Sequence, residues 1–310
     1  MANNNKEFPL VSIITVNFDH SDVTCEMLDS LTRISYPHIE VIVIDNASLN
    51  DDPTMITQKH PWVRLIVNKK NLGFAGANNI GIKEAQGKYI LLLNNDTIVD
   101  THFLEPLVAC MESDAMIGAV SPKIRFFYQP EIIQYAGLTP INNYTVRSKG
   151  IGFREIDMGQ YDKNRLTAYA HGAAMMVRVD TIKKIGLMSN AFFLYYEELD
   201  WSFRIRQAGY KIFYVFNSLI LHKESITTGK MSPLKTYYLN RSRLLYMRRN
   251  IRGLSLVICV LFQIFFSIPK NALVYIFTGK FSLLKAYLKA LGWHLKNLFF
   301  HKEIHSHPSY

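Results

Sequence analysis

Cysteine is scarce in this chain: Cys25, Cys110 and Cys259 stand far apart in 310 residues. With no CxxC pair, neither a disulfide framework nor a cysteine zinc site can be assembled, and a reducing compartment is expected. Two phosphate-binding signatures are missing too. No GxxxxGK[ST] stretch occurs, and Gly73, Gly76 and Gly81 are spaced GxxGxxxxG rather than GxGxxG. That argues against a P-loop and against a nicotinamide or flavin fingerprint. The N-terminal residues lack the basic-then-apolar layout of a secretory leader, so export is not expected. Internal repeats are absent, and low complexity is confined to Asn3–Asn5. Acidic side chains are almost missing from one end: residues 223–310 hold 14 basic and 2 acidic residues, against 21 and 23 in the first 222. The net charge of +10 therefore divides into a nearly neutral body and a strongly basic tail. Such a tail suits nucleic acid or an anionic membrane surface.

What is present reads as an α/β chain. Apolar residues make up 49% of the sequence, enough for a substantial core. Leu10–Asn17, Ile39–Asp45, Arg64–Val67 and Tyr89–Leu93 are short, largely β-branched or leucine-rich runs that predict buried strands. Helical spacing from Asp22 to Ser35 and a glycine-rich turn running into Gly73–Gln86 fall between them. This alternation predicts a mostly parallel sheet flanked by helices, whose ligands sit beyond the carboxyl ends of the strands. Ala173–Val179 predicts another strand, followed by helices near Asp180–Ile185 and through Arg206. Lys211–Val215 and Leu219–His222 close the body. From Arg125 to Leu166 no long period survives, and the stretch is expected to cover a sheet face or shape a cleft.

Strand-end polar residues carry the chemistry. A carboxylate at Asp45 can accept from a nucleobase N–H or a ribose hydroxyl, or simply build a turn with Asn46 and Ser48. Asp96 with Asn94 offers the oxygen ligands that Mg2+ or Mn2+ prefers beside a diphosphate, or ends a strand in a turn. Glu197, Glu198 and Asp200 crowd three acids behind an aromatic run. Repulsion and desolvation raise a carboxylate's pKa, which suits a general base, while one of the three is expected to cap the following helix. His222 ends an apolar strand, a position that is more often structural than a ligand.

In order and spacing the chain resembles inverting family 2 glycosyltransferases of the GT-A fold, especially the bacterial rhamnosyltransferase-like branch. The matching stretches are VSIITVNF at 11–18, VIDNAS at 43–48, NLGFAGANNIG at 71–81 and YILLLNNDTIV at 89–99. GAAMMVR at 172–178, FFLYYEELDWSFR at 192–204, AGYKI at 208–212 and LH at 221–222 continue the series, with DMGQYD at 157–162 and YYLNRSR at 237–243. The resemblance covers roughly residues 8–250 and implies a GT-A catalytic domain over 1–222, followed by a helical C-terminal region over 223–310. It implies that Asp45 reads the nucleotide base, with Asn17 and Ser48 nearby, and that Asn71, Gly73, Asn78, Asn94 and Arg204 join the donor-binding set. Asp96 fills the slot of the metal-binding acid, with Mg2+ or Mn2+ as the ion, and His222 matches a histidine placed near the metal or diphosphate. Asn94 departs from the family's first acid. Glu198 falls in the place of the catalytic base, one methylene longer than the usual aspartate, with Glu197 and Asp200 beside it. The implied reaction is inverting transfer from a nucleotide-diphosphate sugar, dTDP-rhamnose or a UDP-hexose, to a lipid-linked glycan or surface polysaccharide. A non-catalytic glycan- or nucleotide-sugar-binding relative and a metal-dependent nucleotidyltransferase are the competing readings.

The tail predicts membrane association on the cytoplasmic face. Gly253–Pro269 is free of charge, and Leu254–Phe277 contains one, Lys270. With Pro269 near its end, a re-entrant or interfacial hairpin is expected ahead of one span or a buried core helix. From Phe281 to Phe300, Lys285, Lys289 and Lys296 fall within about 40° on a helical wheel, opposite Leu284, Leu288, Leu291, Leu295 and Leu298. That pattern predicts a helix lying on an anionic headgroup layer. No nucleic-acid motif accompanies the charge, so a nucleic-acid partner is not expected.

Overall fold

The computed structural model describes residues 8–224 and 232–297. Strands β1 (Val11–Asn17), β2 (Ile39–Asp45), β3 (Arg64–Val67) and β4 (Tyr89–Leu93) alternate with helices α1 (Ser21–Leu31), α2 (Thr54–Lys59) and α3 (Gly73–Glu84). They form a parallel half-sheet in the order β3-β2-β1-β4. β5 (Thr97–Val99), α4 (Leu104–Ser113), β6 (Ile117–Phe126), β7 (Gln129–Tyr135) and β8 (Arg165–Leu166) follow. After them come β9 (Ala174–Arg178), α5 (Val179–Ile185), α6 (Glu197–Gln207) and β10 (Lys211–His222). The sheet continues from β4 through β9, β6 and β10 to β5. β9 is antiparallel to both neighbours, while β6 and β10 run parallel to one another. The strand ends β1, β2, β4 and β10 and the start of β9 consequently share one edge, as a GT-A architecture requires. The two runs expected at 211–215 and 219–222 are one strand with a register shift between Val215 and Leu219.

Apolar clusters fill both faces of the sheet, with β1, β4 and β9 contributing alternate residues to each. The stretch from 125 to 166 is tied down by charge. The side chains of Lys123 and Asp157 are buried, and Lys123 Nζ donates to Asp157 at 2.8 Å and to Asp162 at 2.5 Å, with Arg125 closing on Asp157.

Helix α7 (Pro233–Asn250) starts with the Ser232 hydroxyl accepting from Lys235 N and packs on the body. Leu244, Leu245 and Tyr246 enter a cluster with Tyr169 and Phe192. The expected join at 222 therefore precedes a helix that is part of the body by its packing. Beyond it, α8 (Gly253–Phe262), a π-helical turn (Gln263–Ser267) and α9 (Ile268–Phe277) make one continuous 25-residue helix. No hairpin forms. Pro269 lacks an N–H and would crowd the carbonyl four residues earlier, and the π-turn just before it absorbs the mismatch. At about 37 Å this helix is long and apolar enough to cross a membrane.

Helix α10 (Phe281–Lys296) departs from the expected wheel. Its buried face is Leu283, Ala286, Tyr287, Ala290 and His294, while Leu288 and Leu295 share the exposed side with Lys285, Lys289 and Lys296. Packing on α7 selected the small and aromatic positions instead of the leucine arc. Leu298 lies outside the described residues.

Candidate active site

The parallel half-sheet delivers Asn17 and Asp45 to the same level, directly paired across β1 and β2. Their side chains do not face the cavity beyond the sheet. The buried Asp45 carboxylate accepts from Asn17 Nδ2 at 2.9 Å, Ser48 N at 3.1 Å and Ser48 Oγ at 2.5 Å. Asn17 is held in turn by Ser21 and Thr24. These three residues knot the loop after β2, and it is Asn46 that faces the cavity, its Nδ2 donating to Asn71 Oδ1 at 2.9 Å.

Gly73 opens α3 with φ +71°, and a Cβ there would stand 2.2 Å from the Phe193 carbonyl oxygen. Only glycine allows that approach. Phe74 N donates to the same oxygen at 2.7 Å, fastening the segment before α6 over the cavity. Asn71 and Gly73 line the cavity, whereas Asn78 is buried inside α3, donating to Phe74 O.

After β4, Asn94, Asn95 and Asp96 line the opposite wall, together with His171, Gly172, Gln134 and His222. Asp96 Oδ1 lies 3.1 Å from His222 Nε2, and His222 Nδ1 is 2.8 Å from Gln134 Oε1. With Nδ1–H donating to that amide oxygen, Nε2 turns its lone pair toward the carboxylate. Asp96 Oδ1 and Asn94 Oδ1 are both buried and accept no hydrogen bond. Two orphaned oxygens beside an imidazole nitrogen fit a hard divalent cation. Among the described residues no group of three His, Cys, Asp or Glu is preassembled for a metal, so a diphosphate would have to complete the shell. Burial holds the His171 pKa down to about 3, with His222 adding to the effect.

The third wall is the start of α6. Tyr195 and Tyr196 take left-handed conformations, φ +66° and +71°, which turn the chain sharply and deliver Glu197 and Glu198 at the helix start. Such backbone strain concentrates at functional sites. Burial raises the Glu198 carboxyl to about 7. Glu197 is buried, its Oε2 has no partner, and burial followed by the charge of Glu198 pushes its pKa well above the usual carboxylate range.

Asp200 and Arg204 belong elsewhere. Asp200 is fully buried; its carboxylate meets Arg204 Nε at 3.1 Å, Arg249 Nε at 2.9 Å and Asn250 Nδ2 at 2.9 Å. Burial pushes its pKa up, but Arg249 and Arg204 outweigh that and hold it below the ordinary value. Arg204 also donates to the carbonyls of Ile185 and Leu187 at 2.7 Å. Both residues brace α6 from behind, away from the cavity. Polar residues on the walls that were not singled out from sequence include Asn46, Gln134, His171, Glu224 and Lys235. His171 had a usable signal, since it directly precedes GAAMMVR; Gln134 had none.

A carboxyl that folding keeps protonated is stabilising below its unfolded pKa, and the benefit is lost as pH rises through the folded pKa. Glu197→Gln should therefore raise the melting temperature at pH 8, by roughly 2–4 °C per kcal/mol relieved, and bring little gain at pH 4. Thermal unfolding at the two pH values checks this; an equal shift at both would show that Glu197 is ionised without cost.

The family model described as "Glycosyl transferase family 2" matches residues 12–186, more than half of the chain. The chain belongs to glycosyl transferase family 2. The chain is 25% identical over 211 residues to the low-salt glycan biosynthesis hexosyltransferase Agl10 of Haloferax volcanii, covering 65% of this chain and 63% of that protein. It is 23% identical over 247 residues to the N-acetylglucosaminyl-diphospho-decaprenol L-rhamnosyltransferase of Mycobacterium tuberculosis, with 71% and 78% covered. Against the O-antigen biosynthesis protein RfbC of Myxococcus xanthus the match is 25% identical, spanning 70% of this chain but only 17% of that one. Among solved structures, the mannosyltransferase PcManGT of Pyrobaculum calidifontis, in complex with GDP-Man and Mn2+, aligns with TM-score 0.57 and 16% identity, covering 95% of this chain and 88% of that chain. GalNAc-T7 with UDP, GalNAc and Mn2+ aligns with TM-score 0.59 and 18% identity, over 76% and 48%. At these identities the structural likeness shows the GT-A fold.

Proposed function

We propose that this glycosyltransferase moves a sugar, with inversion, from a nucleotide diphosphate to a lipid-linked glycan or growing surface polysaccharide at the cytoplasmic face of a membrane. The branch resemblance and the mycobacterial relative's name favour a dTDP-rhamnose donor, with UDP-hexoses as the other option. One observation carries the enzymatic reading: the Asp96–His222 pair and the Glu198 carboxyl line a single cavity of about 400 Å³. Asp96 and His222, with the Asn94 amide oxygen, would hold Mg2+ or Mn2+. When bound, that ion supplies Lewis-acid stabilisation of the departing diphosphate.

The protein's own residues do the rest. Asn46 and Asn71 shape the wall beneath which Asn17, Asp45 and Ser48 fix the loop that receives the nucleoside. Glu198, ionised above pH 7, takes the proton of the acceptor hydroxyl as it attacks the anomeric carbon. Glu197, held neutral behind it, keeps a second negative charge away from that oxygen. One displacement needs one base, so no second flanking carboxylate is required. A non-catalytic sugar-binding relative would have no use for a carboxyl raised to about 7 in the same cavity as the orphaned Asp96 and Asn94 oxygens.

Removing the Asp96 carboxylate should cost the metal and the reaction together. Asp96→Ala should lower turnover of nucleotide sugar by roughly 10²–10³ and weaken Mn2+ binding measured directly by titration in the presence of nucleoside diphosphate. Turnover in EDTA equal to turnover in Mn2+ would exclude the ion and require a cationic side chain in its place.

A further inference from the structure

The helix from Gly253 to Phe277 is amphipathic in the wrong sense for a soluble protein. Its inward side carries Cys259, Gln263 and Ser267, all buried, and Asn271, whose Nδ2 lies 3.4 Å from the Tyr287 hydroxyl. Its outward side carries large apolar residues: Leu254 is 73% exposed, Phe265 66% and Phe277 83%. A helix in water buries its apolar stripe; polar groups facing protein with apolar groups outside is the arrangement for a hydrocarbon surround.

The same helix is bound to the body along its length. Near its start Cys259 packs with Leu244, Leu245 and Tyr246 of α7. Near its end Tyr275 meets the Tyr287 ring of α10 at 5.9 Å. α10 in turn lies along α7: Lys289 sits over Tyr237, Arg241 is 4.3 Å from the Trp293 ring, and Arg248 donates to Asn297 O at 2.9 Å. These three elements therefore form one layer. If the apolar helix crossed a bilayer while keeping those contacts, α10 would go with it, and exposed Lys285, Lys289 and Lys296 would enter hydrocarbon together with Lys270. Charged side chains there are costly unless they reach the interface. In the plane of the headgroups, the same lysines meet anionic phosphates while the apolar side dips below them.

We infer that Gly253–Phe277 is an in-plane anchor seated in one leaflet of an anionic bilayer, on the same side as the catalytic body, and that it does not cross. This deepens the membrane part of the proposed function. It also places the cavity close to the lipid surface, because Leu234 and Lys235 at the start of α7 line that cavity.

Side-specific labelling of the full chain tests it. Thr278→Cys, in the exposed turn after the helix, is compared with Lys59→Cys on the body; the three native thiols are buried. A membrane-impermeant maleimide should label both variants in inverted membrane vesicles and neither in intact cells. Labelling of Thr278→Cys in intact cells, with Lys59→Cys reacting only in inverted vesicles, would establish a span and overturn the inference. In parallel, Leu261→Glu with Phe265→Glu should lower affinity for phosphatidylglycerol-containing vesicles at least tenfold while nucleotide-sugar binding persists. Unchanged vesicle affinity, or a full-length protein that is soluble as a dimer and ignores vesicles, would assign the face to something other than lipid. None of these measurements reads sugar transfer, so their failure would leave the enzymatic reading standing, and its failure would leave theirs.

Discussion

Glu198→Gln should abolish sugar transfer while the donor still binds. Glutamine keeps the shape of the side chain and its packing against Gly172, but it cannot accept the acceptor's proton. General-base catalysis is typically worth ~10²–10⁴ in rate, and that is the expected loss. Donor affinity should change little, because the orphaned oxygens of Asp96 and Asn94 lie on another wall of the cavity. The wild-type enzyme should gain activity as pH rises through about 7, where burial has placed the Glu198 carboxyl, and the variant should lose that dependence. Turnover profiles from pH 5.5 to 9, with calorimetric donor binding at each end, measure both. Near-wild-type turnover by the variant would transfer the role to Glu197.

Asp200→Ala should unfold the enzyme rather than merely silence it. The substitution leaves the Arg204 and Arg249 guanidiniums in a space where Asp200 itself is fully buried. Breaking a buried pair from one side typically costs about 3–5 kcal/mol, a large share of the roughly 5–15 kcal/mol that keeps a domain folded. A fall in melting temperature of roughly 6–20 °C follows. Arg249→Ala should lose a comparable amount, and the double variant should lose less than the sum, since each single change strands the other's charge. Undiminished thermal stability with lost turnover would instead return Asp200 to the chemistry.

Much of this was legible where periodicity and strand-end chemistry coincide. Runs such as Ile39–Asp45 announce a strand, so the parallel half-sheet could be read directly, but which end residue meets the cavity could not: Asp96 lines it, while Asp45 turns into its own loop. β6 could not: Ser121, Pro122 and Lys123 interrupt its apolar run, and a proline argues against a central strand. The sheet tolerates it beside a register shift against β10. Gln134 is a lone polar residue whose meaning arises only when sheet order brings β7 near His222. Asp200 misleads for the opposite reason. Its crowding with Glu197 and Glu198 resembles a reactive cluster; Arg204 stands only four residues on, but the second cation that encloses it comes 49 residues later. In the tail, spacing grouped the lysines of α10 on one side, but packing on α7 covers Leu283, Ala286, Tyr287, Ala290 and His294 rather than the leucine arc opposite them.

The bond between Asp200 and Arg249 also sets an order of events during synthesis. A chain made at about 5–20 residues per second leaves the first turn of α6 without Arg249 for several seconds after Asp200 has been added. Throughout that interval Asp200 has Arg204 on its own helix, but the second guanidinium and the Asn250 amide that complete its surroundings are still to come. The segment that follows Arg249 almost immediately is the apolar helix beginning at Gly253. The nascent chain thus receives the brace behind Glu198 and the proposed anchor at nearly the same moment.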